Sequence, residues 1–119
     1  MGASHDLGRD SEKLAANYLI DRGYALLERN YRVGHKEIDL IAAREATVAF
    51  VEVKARAGSH CGHPLDAITW AKRRELAYAA RVWIAANGRP GMVYRFDAIA
   101  INWQAGQPVI EHIPDAWRL

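Results

Sequence analysis

The chain has 119 residues, half of them hydrophobic, and a formal net charge of +2 from 16 Lys and Arg against 14 Asp and Glu. That is the length and composition of a single domain spanning 1–119 with a real core, which excludes a disordered chain and leaves no room for a second domain of ordinary size. The lone Cys61 excludes an intrachain disulfide, and no apolar run approaches the ~18 residues of a membrane span.

Leu7, Leu14, Ala15, Tyr18 and Leu19 recur at helical spacing and predict a first helix over 7–22, with Gly23 just past its end. Strands are predicted over 24–29, 37–42 and 47–54, the last being the richest in β-branched residues. A polar turn around Arg44 and Glu45 joins the second and third as a hairpin. The glycines and proline of 58–64 read as a loop. Thr69 is the expected N-cap of a second helix over 69–86, which Gly88 and Pro90 terminate. A fourth strand follows over 92–101, and a short fifth one over 109–113. The order is α-β-β-β-α-β, with one strand more if 109–113 is extended. It describes an α/β fold with a mixed central sheet flanked by helices, in which an antiparallel hairpin feeds a helical crossover.

In the third strand Val48, Phe50, Glu52 and Lys54 point to one side, and Ala49, Val51 and Val53 to the other. Both faces are apolar for most of its length, so the strand should be central and covered on both sides. Glu52 and Lys54 then interrupt a buried face, where charges are costly unless paired or used. Asp39, between Ile38 and Leu40, poses the same problem one strand earlier, and the hairpin brings it beside Glu52. Paired carboxylates repel, and a divalent cation relieves the repulsion. Asp39, Glu52 and the carbonyl of Val53 suit Mg²⁺ or Mn²⁺. Lys54 would hold an attacking water or neutralise charge growing on a phosphate. Glu12, on the helix face shared with Ala15, Ala16 and Leu19, is placed to reach the same centre. The bland reading makes Glu52 and Lys54 a strand-end salt bridge and Asp39 a turn cap.

Gly8-Arg9, Glu12, Ala15, Arg29-Asn30-Tyr31-Arg32, Glu37-Ile38-Asp39-Leu40-Ile41-Ala42, Phe50-Val51-Glu52-Val53-Lys54-Ala55-Arg56, Lys72 and Arg95-Phe96-Asp97 together resemble the YraN family of small uncharacterised bacterial proteins. That family is assigned to the restriction-endonuclease-like, PD-(D/E)xK fold and is similar to archaeal Holliday-junction resolvases. The resemblance covers nearly the whole chain. It implies that Asp39, Glu52 and Lys54 form the nuclease motif and that Glu12 matches the helix glutamate of the resolvase-like relatives. Ser11 and Lys36 stand where the family usually has glycine, and Cys61 where its loop commonly has an aromatic residue.

The expected activity is Mg²⁺-dependent hydrolysis of DNA phosphodiesters, including branched or damaged structures. The resolvase-like relatives act as dimers, and the resemblance extends that expectation to a homodimer. The alternative class is a non-catalytic nucleic-acid-binding module or a subunit of a DNA-processing complex. Arg56, Arg29, Arg32, Lys72 and Arg73 are the candidate phosphate contacts, each also readable as a solvated surface charge. His60, Cys61 and His63 lack the second ligand cluster of a zinc site and read as plain loop. Trp70 and Trp83 read as core or interface, and Asp97 as a structural partner of Arg95 or Lys72. The polar start carries no signal-peptide pattern, so a soluble, cytoplasmic protein without membrane contact is expected.

Overall fold

A computed structural model describes residues 3–58 and 62–118. The elements are α1 (Ala3–Asp21), β1 (Ala25–Val33), β2 (Lys36–Arg44), β3 (Thr47–Ala57), a 3₁₀ turn (Pro64–Ala67), α2 (Trp70–Asn87), β4 (Val93–Gln104) and β5 (Gln107–Trp117). The five strands form one sheet in sequential order β1-β2-β3-β4-β5. Every neighbouring pair is antiparallel except β3 and β4, which α2 connects as a parallel pair. This is the mixed α/β sheet expected from the sequence, in α-β-β-β-α-β-β order and compatible with a nuclease-like core.

α1 ends where Gly23 takes φ 88°. The Gly23 amide donates to the Ile20 carbonyl and the Tyr24 amide to the Leu19 carbonyl, both at 3.0 Å. These paired bonds satisfy carbonyls that the helix leaves open, and glycine adopts the dihedral without a Cβ penalty. Thr69 caps α2, its Oγ1 accepting from the Lys72 amide at 3.1 Å. Gly88, at the end of α2, is required for a steric reason: with φ −67° it needs no special dihedral. A Cβ there would instead meet the Ile84 carbonyl and the Tyr94 hydroxyl at 2.7 Å.

β3 is central, and its alternation sorts the core into two layers. Val48 and Phe50 pack with Ile38, Leu76, Ala79 and Trp83 under α2. Ala49 and Val51 pack with Ala15, Ala16 and Leu19 under α1. The Phe50 ring meets Trp83 edge-on at 5.7 Å. Burying each large side chain of this kind contributes ~1.5–3 kcal/mol, which is what holds the helices to the sheet.

Several boundaries run beyond the sequence expectation. α1 begins at Ala3 instead of Leu7, β1 continues to Val33, and β4 and β5 lengthen into a hairpin closed by Ala105 and Gly106, at φ 52° and 77°. Two consecutive positive φ values give a turn whose twist matches the strands it joins. His60 and Cys61 lie outside the described residues. His63 caps the 3₁₀ turn, its Nδ1 accepting from the Leu65 amide at 3.2 Å. Trp83 is core, whereas Trp70 is 59% exposed and is not. Among the described residues no helix is long and apolar enough to cross a membrane.

Candidate metal centre

The pairing of β2 with β3 runs from Arg44↔Thr47 to Leu40↔Val51 and stops there. At that point β2 loses its alternation. Ile38 packs in the α2 layer and Leu40, two residues on, in the α1 layer. Asp39 lies at the slip. Across β1, Asn30 falls between the pairs Arg29↔Leu40 and Tyr31↔Ile38 and takes φ 51°. Asparagine tolerates that left-handed conformation better than most residues. The two strands therefore kink together where Asp39 sits.

With no ladder partner left on β2, the Val53 amide donates to Asp39 Oδ2 at 2.8 Å. In an extended strand a residue's amide and carbonyl point to the same side, so the Val53 carbonyl is directed into the same gap. Glu52, one residue earlier, is 4% exposed, and its Oε1 has no hydrogen-bond partner. Its Oε2 is 3.5 Å from Lys54 Nζ, and the lysine side chain keeps 32% exposure. Burial first, and the Glu52 charge second, push the Asp39 carboxyl up to about 8. The Val53 hydrogen bond opposes this rise, and the charges of Glu12 and Glu37 add to it. Glu12 is held by Asn30, whose Nδ2 donates to its Oε1 at 3.0 Å. Both residues line a cleft shared with Arg9, Lys13 and Arg29.

The structure thus groups Asp39, Glu52, Lys54, Val53 and Glu12 around the strand kink, with Arg29 beside Glu12. Asn30 and Glu37 join them, although the sequence reading assigned neither a role. Asn30 lies one residue past the strand expected over 24–29, so its place in the ladder emerges only because β1 continues to Val33. Among the described residues, Arg32, Arg56 and Arg73 bond to groups other than Asp39 and Glu52. Arg32 is exposed, its Nη2 3.9 Å from Glu37 Oε1. Arg56 Nε donates to Asn102 Oδ1 at 2.9 Å, and its Nη1 to the Gly62 carbonyl. Arg73 donates to the carbonyls of Ile68 and Leu65, at 2.9 and 3.0 Å. These bonds make Arg56 and Arg73 ties between the sheet, the 3₁₀ turn and α2. Lys72 stands in the first turn of α2.

A divalent cation fits the kink on two counts. A buried carboxylate oxygen without a partner is expensive, and a hard cation is the partner it lacks. Two acids crowded enough to raise one of them also favour a positive charge between them. Among the described residues no three His, Cys, Asp or Glu side chains gather as a ready-made metal cluster. Asp39, Glu52 and the Val53 carbonyl would offer two carboxylates and a backbone carbonyl, the sparse kind of oxygen set that Mg²⁺ completes with its own waters.

A profile of the group described as "Uncharacterised protein family UPF0102" matches residues 11–101. A UPF0102 protein of Chlorobium chlorochromatii is 48% identical over 118 residues, covering 94% of this chain and 91% of the relative. One from Clavibacter michiganensis subsp. michiganensis is 45% identical, covering 98% and 99%. One from Geobacter metallireducens is 42% identical, covering 95% and 93%.

Proposed function

The chain belongs to the UPF0102 family, and from that premise we propose that it is a divalent-metal-dependent nuclease domain that hydrolyses phosphodiester bonds of DNA. The observation that carries the reading is the pair Asp39–Glu52. The Lys54 salt bridge and the Val53 bond are both present, yet they satisfy the acids only in part: Glu52 keeps a buried oxygen without a partner, and Asp39 is pushed up to about 8. Residues in costly states of this kind concentrate at functional sites.

Asp39 and Glu52, with the carbonyl of Val53, would hold Mg²⁺ or Mn²⁺. Bound there, the cation would supply Lewis-acid charge for the phosphodiester oxygens. Lys54, tethered to Glu52 but still reaching solvent, orients the attacking water or offsets charge developing on the phosphate. Glu12, fixed by Asn30, reaches the centre through water. Arg29, with Arg9 and Lys13 of the same cleft, positions the nucleic-acid backbone without reading sequence.

The test is a cleavage screen with Mg²⁺ and Mn²⁺ against linear, single-stranded and branched DNA, with Asp39→Ala as the control. Metal-dependent cleavage lost in Asp39→Ala supports the proposal. Tight binding without cleavage on any substrate would replace it with the non-catalytic module.

A further inference from the structure

The opposite end of β2 carries a second polar cluster that the metal centre does not use. Arg44 closes β2, and its Nη1 donates to the carbonyl of Arg22 at 3.0 Å. Its guanidinium lies 4.4 Å from the centroid of the Tyr24 ring. The Arg22 guanidinium sits 3.7 Å from the Tyr18 centroid. From β4, Arg95 Nη2 donates to the Tyr24 hydroxyl at 2.6 Å. Arg95 also grips Asp97, Nε to Oδ1 at 2.9 Å and Nη2 to Oδ2 at 3.2 Å. Asp97 is fully buried and faces His112 Nε2 at 2.8 Å. The His112 ring closes the circuit, standing edge-on to Tyr18 at 5.4 Å. The circuit encloses a concavity of about 270 Å³.

Charge and donor supply are both in surplus here. Of the three guanidinium groups only Arg95 is paired with a carboxylate, Asp97, which is saturated by Arg95, His112 and the Asp115 amide. Among the described residues, Nη1 of Arg95 and the Nε and Nη2 of Arg44 have no hydrogen-bond partner. Stacking on tyrosine and bonding to backbone hold Arg22 and Arg44, and Asp97 with the Tyr24 hydroxyl holds Arg95, so their mutual repulsion is not relieved by swinging apart. Preorganised guanidiniums with free donors match a tetrahedral oxyanion. The space is several times the ~30 Å³ share of a water molecule, room enough for a phosphate group.

We propose that the ring around Arg22, Arg44 and Arg95 is a phosphate-binding site separate from the metal centre. Asp39 and Arg44 are five residues apart on β2, about 17 Å at the rise of an extended strand. That spacing lets one nucleic-acid strand engage both sites. This source of the phosphate rests on the nuclease reading, whereas affinity for a free phosphate or phosphomonoester does not.

The test uses the full chain in EDTA and inorganic phosphate as the probe, followed by calorimetry and thermal melts. Arg44→Gln and Arg22→Gln should each weaken phosphate binding at least fivefold. Arg81→Gln, an equal charge change on the exposed side of α2, should stay within twofold. Arg44→Lys keeps the charge and carries the comparison if Arg44→Gln melts early. A second arm measures binding of a short labelled DNA duplex against salt. If the phosphate belongs to a nucleic acid, Arg44→Gln loses at least threefold more affinity than Arg81→Gln and its salt slope falls by about 1. If only the inorganic-phosphate arm discriminates, the site takes a free phosphate or monoester, and the nuclease reading is untouched. Equal behaviour of Arg44→Gln, Arg22→Gln and Arg81→Gln in both arms overturns the proposal.

Discussion

The Val53 amide donates to Asp39 Oδ2 at 2.8 Å at the first position where β2 no longer pairs with β3. A side chain has replaced a ladder carbonyl. The exchange ties Asp39 to the strand that carries Glu52 and Lys54, and it leaves the Asp39 carboxyl in a place where ionisation is disfavoured.

That arrangement sets a pH dependence. Asp39 is raised from 3.8 to about 8, mainly by burial and then by Glu52. The folded state therefore binds more protons than the unfolded state between those values. Stability from protonated Asp39 is complete below about pH 4 and is lost as pH rises through about 8. In EDTA, the melting temperature of the protein should fall between pH 5 and 8.5. Asp39→Asn retains the acceptor for the Val53 amide and removes the charge. Its melting temperature should be flatter across that range and higher at pH 8.5 by about 3 °C or more, the shift that ~1 kcal/mol produces in a domain of this size. A loss of stability at pH 8.5 would show that Asp39 is a structural cap.

Glu52→Gln keeps the size of the side chain and removes the charge that attracts a cation. Its Mg²⁺ or Mn²⁺ affinity should drop at least tenfold by calorimetry. Below pH 8 the wild-type protein should also release protons on binding, because the cation selects ionised Asp39. Buffers of different ionisation enthalpy read that release directly. Equal affinities for Glu52→Gln and wild type would place any cation elsewhere.

Asp39, Glu52 and Lys54 were legible in the sequence because each breaks an apolar alternation, and a strand's alternation fixes which side chains share a face. The central position of β3 followed from the same pattern. What the alternation hid was its own failure. The slip at Asp39 depends on Asn30 in the neighbouring strand, and no period in either segment announces it. The Asp97 cluster was half legible. Arg95 lies two residues away and was named, but Tyr24 is 71 residues from Arg95 and came into reach only through the sheet. The bonds of Arg56 and Arg73 to turn carbonyls were likewise invisible, because a basic residue in a loop-flanking position looks the same whether it meets phosphate or backbone.

Ser11 stands where the YraN pattern usually has glycine, and the structure gives it a partner. Trp103 Nε1 donates to its Oγ at 2.8 Å, and Ser11 is fully buried between α1 and the sheet. Ser11→Ala removes the acceptor and leaves the indole N–H unpaired, at a cost of about 1–2 kcal/mol. Urea unfolding of Ser11→Ala, Trp103→Phe and the double variant measures it. A double-mutant coupling near zero would mean that the bond contributes nothing to the fold.

Asp97 should be the most sensitive polar position in the fold. Burial alone would raise its carboxyl, yet the bonds from His112, Arg95 and the Asp115 amide outweigh burial and hold it below the ordinary range. The sign is opposite to that of Asp39. The stability Asp97 contributes is present above its unfolded value near 4 and is lost as pH falls through its lower folded value. Asp97→Asn keeps the shape but leaves Arg95, whose side chain is 21% exposed, without its counter-charge. Breaking a buried pair from one side costs about 3–5 kcal/mol, far more than an exposed pair such as Arg118–Asp115 is worth. The variant should therefore lose a large share of its stability at pH 7, with a smaller deficit in acid, where the wild type also loses the charge. Asp115→Asn, at the exposed pair, should leave stability nearly unchanged. Denaturant melts of both variants at pH 7 and at a pH well below the ordinary carboxylate range separate these outcomes. Equal losses for the two substitutions at pH 7 would show that the Asp97 network does not hold β4, β5 and the start of β1 together.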